Sequence, residues 1–289
     1  MSPRPRLSFE FFPPKSLDGA FRLSEAARML APYKPGFVSV TYGAGGTTRQ
    51  LTHEAVTAIG THYGLNVAAH LTCVEATRDE TLAIVDSYAK EGVREIVALR
   101  GDMPGGGPFV AHPDGFSGSV DLIEAIAARG DMTIRVGAYP EPHPDSQGTA
   151  ADIAWLKRKI EAGATSAITQ FFFDADTFFR FRDACAAAGV DAPIVPGILP
   201  IQSWDGAKRF AARCGTSVPE GLDEAFTAAK AEGREQDLAA DICADLCRRL
   251  GDGGVQDLHF YTLNRPEMTR AVLDRLGIPP EGDALAAVA

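Results

Sequence analysis

Ser8-Phe9-Glu10-Phe11-Phe12-Pro13-Pro14 is an apolar, β-prone run halted by two prolines, which lack the amide proton a sheet ladder needs. It reads as a strand. Strand side chains alternate, so Leu7, Phe9 and Phe11 share one side while Ser8, Glu10 and Phe12 share the other. A single carboxylate therefore lies near the C-terminal end of a strand among phenylalanines, where it must be paired or have its pKa raised. An edge strand with Glu10 in water fits this stretch equally well, and the rest of the chain decides between the two.

Outward from this stretch, strand and helix alternate. Ser16 is placed to cap a helix over 17–30. A strand over 37–40 leads into Thr41-Tyr42-Gly43-Ala44-Gly45-Gly46 and a helix through 51–62. A strand over 67–71 precedes a helix over 79–91, and a strand over 95–99 ends in Arg100-Gly101-Asp102 and a glycine-rich loop to Gly118. Next come a helix over 119–129, a strand over 133–138 followed by Tyr139-Pro140-Glu141-Pro142-His143-Pro144, and a helix over 152–162 stopped at Gly163. The sixth strand opens at 167–170 and runs into Phe171-Phe172-Phe173, after which Phe178, Phe181 and Cys185 repeat at helical spacing as core positions. The seventh covers 192–197, residues 204–250 hold two or three helices, and the eighth covers 257–261. Pro266 opens a last helix, and the tail past Pro279 is expected to fray.

Eight such units in 289 residues are the arithmetic of one α/β domain over 1–289, a (β/α)8 TIM barrel with extra helices before the last strand. A doubly wound sheet is the competitor. It calls for a phosphate fingerprint after the first strand, and neither Phe11-Phe12-Pro13-Pro14 nor Gly43-Ala44-Gly45-Gly46 has the required glycine spacing.

The apolar fraction of 45% is ample for a large core, and no run approaches the roughly 18 apolar residues of a membrane span. The formal charge of -10 argues against a nucleic-acid or anionic-membrane partner but leaves room for a local basic phosphate site. Arg4 and Arg6 run straight into the first strand without a leader's hydrophobic core, and five dispersed cysteines suit a reducing compartment, so a cytoplasmic protein without structural disulfides is expected. Cys243 and Cys247 fall one helical turn apart, but nothing nearby completes a metal site; they read as small buried hydrophobes.

Active sites of such barrels gather at the C-terminal ends of the strands. Read in order, that rim carries Glu10, Thr41, His70, Arg100 with Asp102, Tyr139, Gln170, and Tyr261 with Asn264 and Arg265. The six histidines show no metal-binding pairing, so no metal is expected. No nucleophile elbow is present. Glu10 and Asp102 could serve as a glycosidase pair, but both tryptophans, Trp155 and Trp204, fall on helices rather than on the rim. Acid–base chemistry beside a bound cofactor is what remains.

Ser8-Phe9-Glu10-Phe11-Phe12-Pro13-Pro14, Val40-Thr41-Tyr42-Gly43-Ala44-Gly45-Gly46, Ala98-Leu99-Arg100-Gly101-Asp102, Ala138-Tyr139-Pro140-Glu141, Ile168-Thr169-Gln170-Phe171-Phe172-Phe173 and His259-Phe260-Tyr261-Thr262-Leu263-Asn264-Arg265 together resemble the methylenetetrahydrofolate reductases, in that family's order and across nearly the whole chain. The compact bacterial form is the one resembled. The resemblance implies FAD, NADH or NADPH as co-substrate, and ping-pong reduction of methylenetetrahydrofolate to methyltetrahydrofolate for one-carbon metabolism and methionine biosynthesis, a reaction that can also run in reverse. It implies Glu10 as the general acid that opens the folate ring to an iminium, and Asp102 as the group that stabilises this cation and tunes the flavin. Thr41, His70, Arg100, Gly101, Asp102, Tyr139, Asp152, Arg158, Lys159 and Tyr261 would line the FAD site; Gln170, Phe210 and Arg265 would meet the folate. It also implies a homo-oligomer, dimer or tetramer. Trp155 and Gly206 depart from some relatives, which carry a small polar residue and a glutamine there.

A general acid working near neutral pH needs a raised pKa, which desolvation by the phenylalanines around Glu10 would supply. Two rivals stay open at this stage: a folate-dependent methyltransferase barrel without redox chemistry, and a catalytically silent partner subunit.

Overall fold

The computed structural model describes residues 4–43 and 49–282. Ala44-Gly45-Gly46 of the second rim motif and the end of the tail expected to fray, 283–289, lie outside them.

Strands β1 (Arg6–Phe11), β2 (Phe37–Val40), β3 (Val67–Thr72), β4 (Glu95–Leu99), β5 (Thr133–Ala138) and β6 (Ser166–Thr169) pair in parallel in chain order, each followed by a helix. The helices are α1 (Leu17–Leu30), α2 (Arg49–Tyr63), α3 (Arg78–Lys90), α4 (Ser119–Ala127), α5 (Thr149–Glu161) and α6 (Ala175–Ala187). The expected seventh strand is divided: β7 (Ile194–Val195) pairs with β6, and β8 (Gly197–Ile198) pairs with β9 (Asp257–Tyr261), which returns to β1. Pro196 makes the division, because it has no amide to donate; its carbonyl instead accepts from His259 N at 3.1 Å. Nine parallel strands thus occupy eight staves, and the barrel closes across one proline. Between β8 and β9 lie α7 (Trp204–Cys214), α8 (Leu222–Ala231) and α9 (Glu235–Asp252), the extra helices; α10 (Pro266–Arg275) ends the fold.

Local signals explain most boundaries. Ser16 Oγ accepts from Gly19 N at the start of α1, and Thr77 with Glu80 forms a capping box on α3. Helix α5 begins three residues before the expected Asp152, because Gly148, at φ +122°, turns the chain directly into Thr149. Strand β6 stops at Thr169 instead of running into the phenylalanines: Gln170 N still donates to Ala138 O, but Gln170 Oε1 then takes Phe171 N and the chain leaves the sheet.

Side-chain parity separates two interiors. Leu7, Phe9 and Phe11 of β1 and Leu258 and Phe260 of β9 point outward into the main core under the helices, with Phe9 and Phe260 ring centroids 6.1 Å apart. Ser8, Glu10, His259 and Tyr261 take the opposite parity and face into the barrel, with Phe37, Ala68, Val97 and Ile168 of neighbouring strands as its apolar lining. Below them Arg135 lies 3.7 Å over the Phe37 ring and pairs with Glu95 at 2.7 Å, so the floor of the barrel is a partly buried ion pair.

The seam tolerates no side chain at Gly197. A Cβ there would lie 2.1 Å from Thr169 O and 2.6 Å from the Tyr261 ring. Gly197→Ala is therefore expected to lose about 1–3 kcal/mol of folding stability, the ordinary cost of overpacking. Urea titration checks this; an unchanged midpoint would show that the seam can open freely.

Candidate active site

The strand parity that buries Leu7, Phe9 and Phe11 under the helices turns Glu10 into the barrel, near the C-terminal end of β1. Its side chain is 14% exposed and lines a cavity of about 280 Å³ with Thr41, His70, Tyr139, Gln170, Phe210 and Tyr261. Six of the predicted site positions thus join it around one space, although they come from six different segments of the chain.

Two imidazoles flank the carboxylate. His70 Nε2, from β3, is 3.3 Å from Glu10 Oε2, and His259 Nε2, from β9, is 3.7 Å from the same oxygen. Both Nε2 atoms are buried and neither forms a well-directed hydrogen bond at these distances. Ser39 Oγ reaches Oε2 at 3.5 Å. Burial is the largest influence on Glu10 and pushes its pKa up, but His259 and His70 together outweigh it and hold the carboxyl at about 2. This corrects the expected raised pKa. Phe9 and Phe11 are sequence neighbours of Glu10 but face the other way, and Phe12 is 40% exposed; the groups that approach Oε2 are His70, His259 and Ser39.

His259 is itself fully buried and burial lowers its pKa. Its Nδ1 lies 2.8 Å from Ser8 Oγ, which is also 3.3 Å from Leu258 O. This hydroxyl has two settings. Donating to Nδ1, it leaves the imidazole proton on Nε2, facing an ionised Glu10. Donating to Leu258 O, it accepts from Nδ1–H and presents a bare Nε2 to a protonated Glu10. The Ser8–His259 pair therefore matches either protonation state of the acid without charging the imidazole. The Phe37 ring stacks against His259 at 5.6 Å and fixes its plane.

A second cleft, of about 410 Å³, shares Leu99, Gly137, Ala138 and Tyr139 with the first. Into it the structure brings Arg100, Gly101, Asp102, Asp152 and Lys159. Gly101 must be glycine: its φ is +85° and a Cβ would lie 2.7 Å from Thr72 Cβ. Arg100 pairs with Asp145 at 2.9 Å, and Asp152 accepts from His143 N. Lys159 Nζ donates to Gly137 O at 2.9 Å, and burial lowers its pKa to about 8. Burial likewise pushes the Tyr139 phenol up to about 12. Tyr261, whose hydroxyl donates to Thr169 O at 2.6 Å, is also raised by burial.

Arg158 is not in this group. It lies exposed, its guanidinium 4.6 Å over Trp155, whose own ring borders the cleft. Arg265 is separate too, lining a third cavity beyond Phe210 together with Gly206. Sequence reading missed His259 and Ser8 as functional residues. The only signal for them was the parity they share with Tyr261 and Glu10, and it becomes readable once Ser8 is known to pair with His259 across 251 residues.

Because Glu10 ionises at about 2 against an ordinary 4.5, its charge contributes stability that is complete above pH 4.5 and is lost as pH falls through that window. Urea titrations across the window should show the wild type losing stability that Glu10→Gln, with no group titrating there, does not lose. Parallel curves would mean the imidazoles do not hold the carboxylate.

The described residues contain no group of three or more candidate metal ligands, and no helix among them is long and apolar enough to cross a membrane. The fold resembles that of a solved Clostridium thermocellum protein titled as binding two copies of 5-methyl-5,6,7,8-tetrahydrofolic acid, with a TM-score of 0.62, 11% identity and 96% of each chain covered. In sequence the chain is 43% identical to the 5,10-methylenetetrahydrofolate reductase of Salmonella typhimurium, covering 95% of this chain and 91% of that one. It is 36% identical to methylenetetrahydrofolate reductase (NADH) 1 of Arabidopsis thaliana, covering 95% of this chain and 48% of that longer one. A sequence model described as methylenetetrahydrofolate reductase matches residues 2–277. With the barrel, the rim motifs and these relatives in agreement, the chain belongs to the methylenetetrahydrofolate reductase family.

Proposed function

We propose that this chain reduces methylenetetrahydrofolate to methyltetrahydrofolate in two half-reactions, with FAD held in the rim cleft, NADH or NADPH as the electron source, and Glu10 as the acid. The observation that carries the reading is a lone carboxylate clamped between imidazoles at the bottom of a cavity adjoining a cleft with a buried cation.

The residues of the cleft fit a flavin dinucleotide. Lys159 is an ammonium taken out of water with a single backbone partner, and an anionic diphosphate beside it would restore what burial removes. Gly137 leaves the wall between cleft and cavity without a side chain, where a flat ring system can lie against backbone. Thr41, His70, Tyr139 and Tyr261 would meet the ring end, and Arg100, Gly101, Asp102, Asp152 and Lys159 the remainder; Arg158 contributes from outside only if its side chain leaves Trp155. Held by these residues, FAD would supply the two-electron chemistry that couples nicotinamide oxidation to folate reduction.

The chain's own residues handle the proton. Glu10 is ionised before substrate arrives. A folate entering the cavity would displace its water and strengthen the burial effect, so that Glu10 takes up a proton from the departing solvent, with Ser8 and His259 switching to the setting that supports its neutral form. The acid then gives this proton to the folate nitrogen. Gln170 and Phe210 line the same cavity and would place the pterin edge-on to Glu10. Asp102, which has no ion pair among the described residues, would remain available to the cationic intermediate.

Two measurements test the reading. Purified protein should be yellow, or become so on adding FAD; a colourless protein that does not bind FAD overturns the proposal in favour of a pterin-binding or silent barrel. Glu10→Gln should keep reduction of the flavin by NAD(P)H while folate turnover falls by ~10²–10⁴, the usual contribution of a general acid. Stopped-flow spectroscopy of each half-reaction separates them, and equal loss in both would remove Glu10 from its role.

A further inference from the structure

Asn264 belongs to the rim, yet its side chain turns back to the chain and not into the catalytic cavity. Its Oδ1 accepts from Phe12 N and its Nδ2 donates to Phe12 O, both at 2.9 Å. Only one orientation of the amide satisfies the two bonds together. Residues of even number on β1 turn their backbone groups toward β9: Arg6 N donates to Gln256 O, and Glu10 O accepts from Thr262 N at 3.3 Å and from Thr262 Oγ1 at 2.6 Å. Phe12 is next in that series. By then β9 has ended at Tyr261, so the Asn264 amide supplies, from a side chain, the two ladder bonds a longer β9 would have given.

The backbone adopts a costly shape to make this contact. Leu263 and Asn264 both have φ +53°, the only adjacent non-glycine residues at positive φ among the described residues. Asparagine tolerates that region better than most residues, and leucine does not. Strain of this kind persists where surrounding bonds hold it, and here Asn264 N also donates to Thr262 Oγ1 at 3.2 Å. Phe12 and Leu263, the residues brought together by the clasp, line the catalytic cavity with Glu10. Without Asn264 the last bond from β1 to this side would fall on Glu10 itself, and Pro13, which has no amide, cannot add another. The acid would then sit where the strand frays.

We propose that Asn264 is a positioning residue for the acid: by completing the ladder at Phe12 it fixes the backbone of Glu10, and so the aim of the carboxylate, through the folate half-reaction. The proposal rests on the role of Glu10 given above and deepens it by naming the residue through which the acid is aimed.

Asn264→Gly separates the clasp from the fold, because it removes the amide while making positive φ easier. In the FAD-loaded enzyme, stopped-flow spectroscopy at saturating methylenetetrahydrofolate should show reoxidation of the flavin slowed by roughly 10–100-fold, the scale of a misplaced reacting group. Reduction of the flavin by NAD(P)H and the urea midpoint should stay at wild-type values. Asn264→Asp, which keeps the acceptor for Phe12 N and loses the donor to Phe12 O, should fall between the two. In a Glu10→Gln background Asn264→Gly should add little further loss, since the clasp acts through the acid. An unchanged folate half-reaction in Asn264→Gly, or equal loss in both half-reactions with a lowered urea midpoint, would overturn the proposal. So would an aspartate variant no faster than the glycine one, or an undiminished effect in the Glu10→Gln background. If Glu10→Gln alone leaves the folate half-reaction intact, the acid reading fails and the positioning role falls with it.

Discussion

An ionised carboxylate inside a closed barrel needs partners, and the requirement organises the interior. Glu10 faces inward because the outward positions of β1 are committed to the core under the helices. Once inside, it draws His70 and His259 to Oε2, and His259 in turn has Ser8 as a partner for either tautomer and the Phe37 ring to fix its plane. Phe37 carries Arg135, and Arg135 carries Glu95. A ladder of polar groups therefore runs from the barrel floor to the catalytic cavity. In a dry core such groups are costly unless every one is met. The Nε2 atoms that face Glu10 are the members left without well-directed bonds, which is what a site built to change its protonation state would leave.

The rim divides into three adjoining spaces. A cleft with a buried lysine, a central cavity with a carboxylate, and an outer cavity lined by Arg265 lie side by side, joined by Tyr139 on one side and Phe210 on the other. Backbone gaps at Gly137 and Gly206 border the flanking spaces. A chain of net charge -10 thus carries local positive groups at its rim.

Much of this was legible in the sequence, for identifiable reasons. Strands β2, β4, β5 and β9 have the expected ends because each is a short apolar run between turn-forming residues. Period-two alternation placed Glu10 inside. The environment of Glu10 was misread because phenylalanines adjacent in sequence are on the opposite face of a strand, so they desolvate the helices' core and not the acid. The divided seventh stave was misread because Pro193 and Pro196 suggest flanks of a strand, whereas Pro196 interrupts it and lends its carbonyl to β9. His259 could not be assigned without the register between β1 and β9.

The seam at Pro196 also bears on how the molecule wears out. Two strands of two residues each make up the seventh stave, against strands of four to six residues elsewhere. Segments with so few ladder bonds open locally at lower cost than the whole domain unfolds. Both Tyr261, anchored on Thr169 O, and His259, whose amide is held by Pro196 O, sit on the edge of that seam. A transient breach would admit water to the imidazoles and release the pressure of burial on Glu10, with the helical shell still intact. The working lifetime of the catalyst is then set by how often one stave breathes, and the global stability of the barrel is a separate quantity.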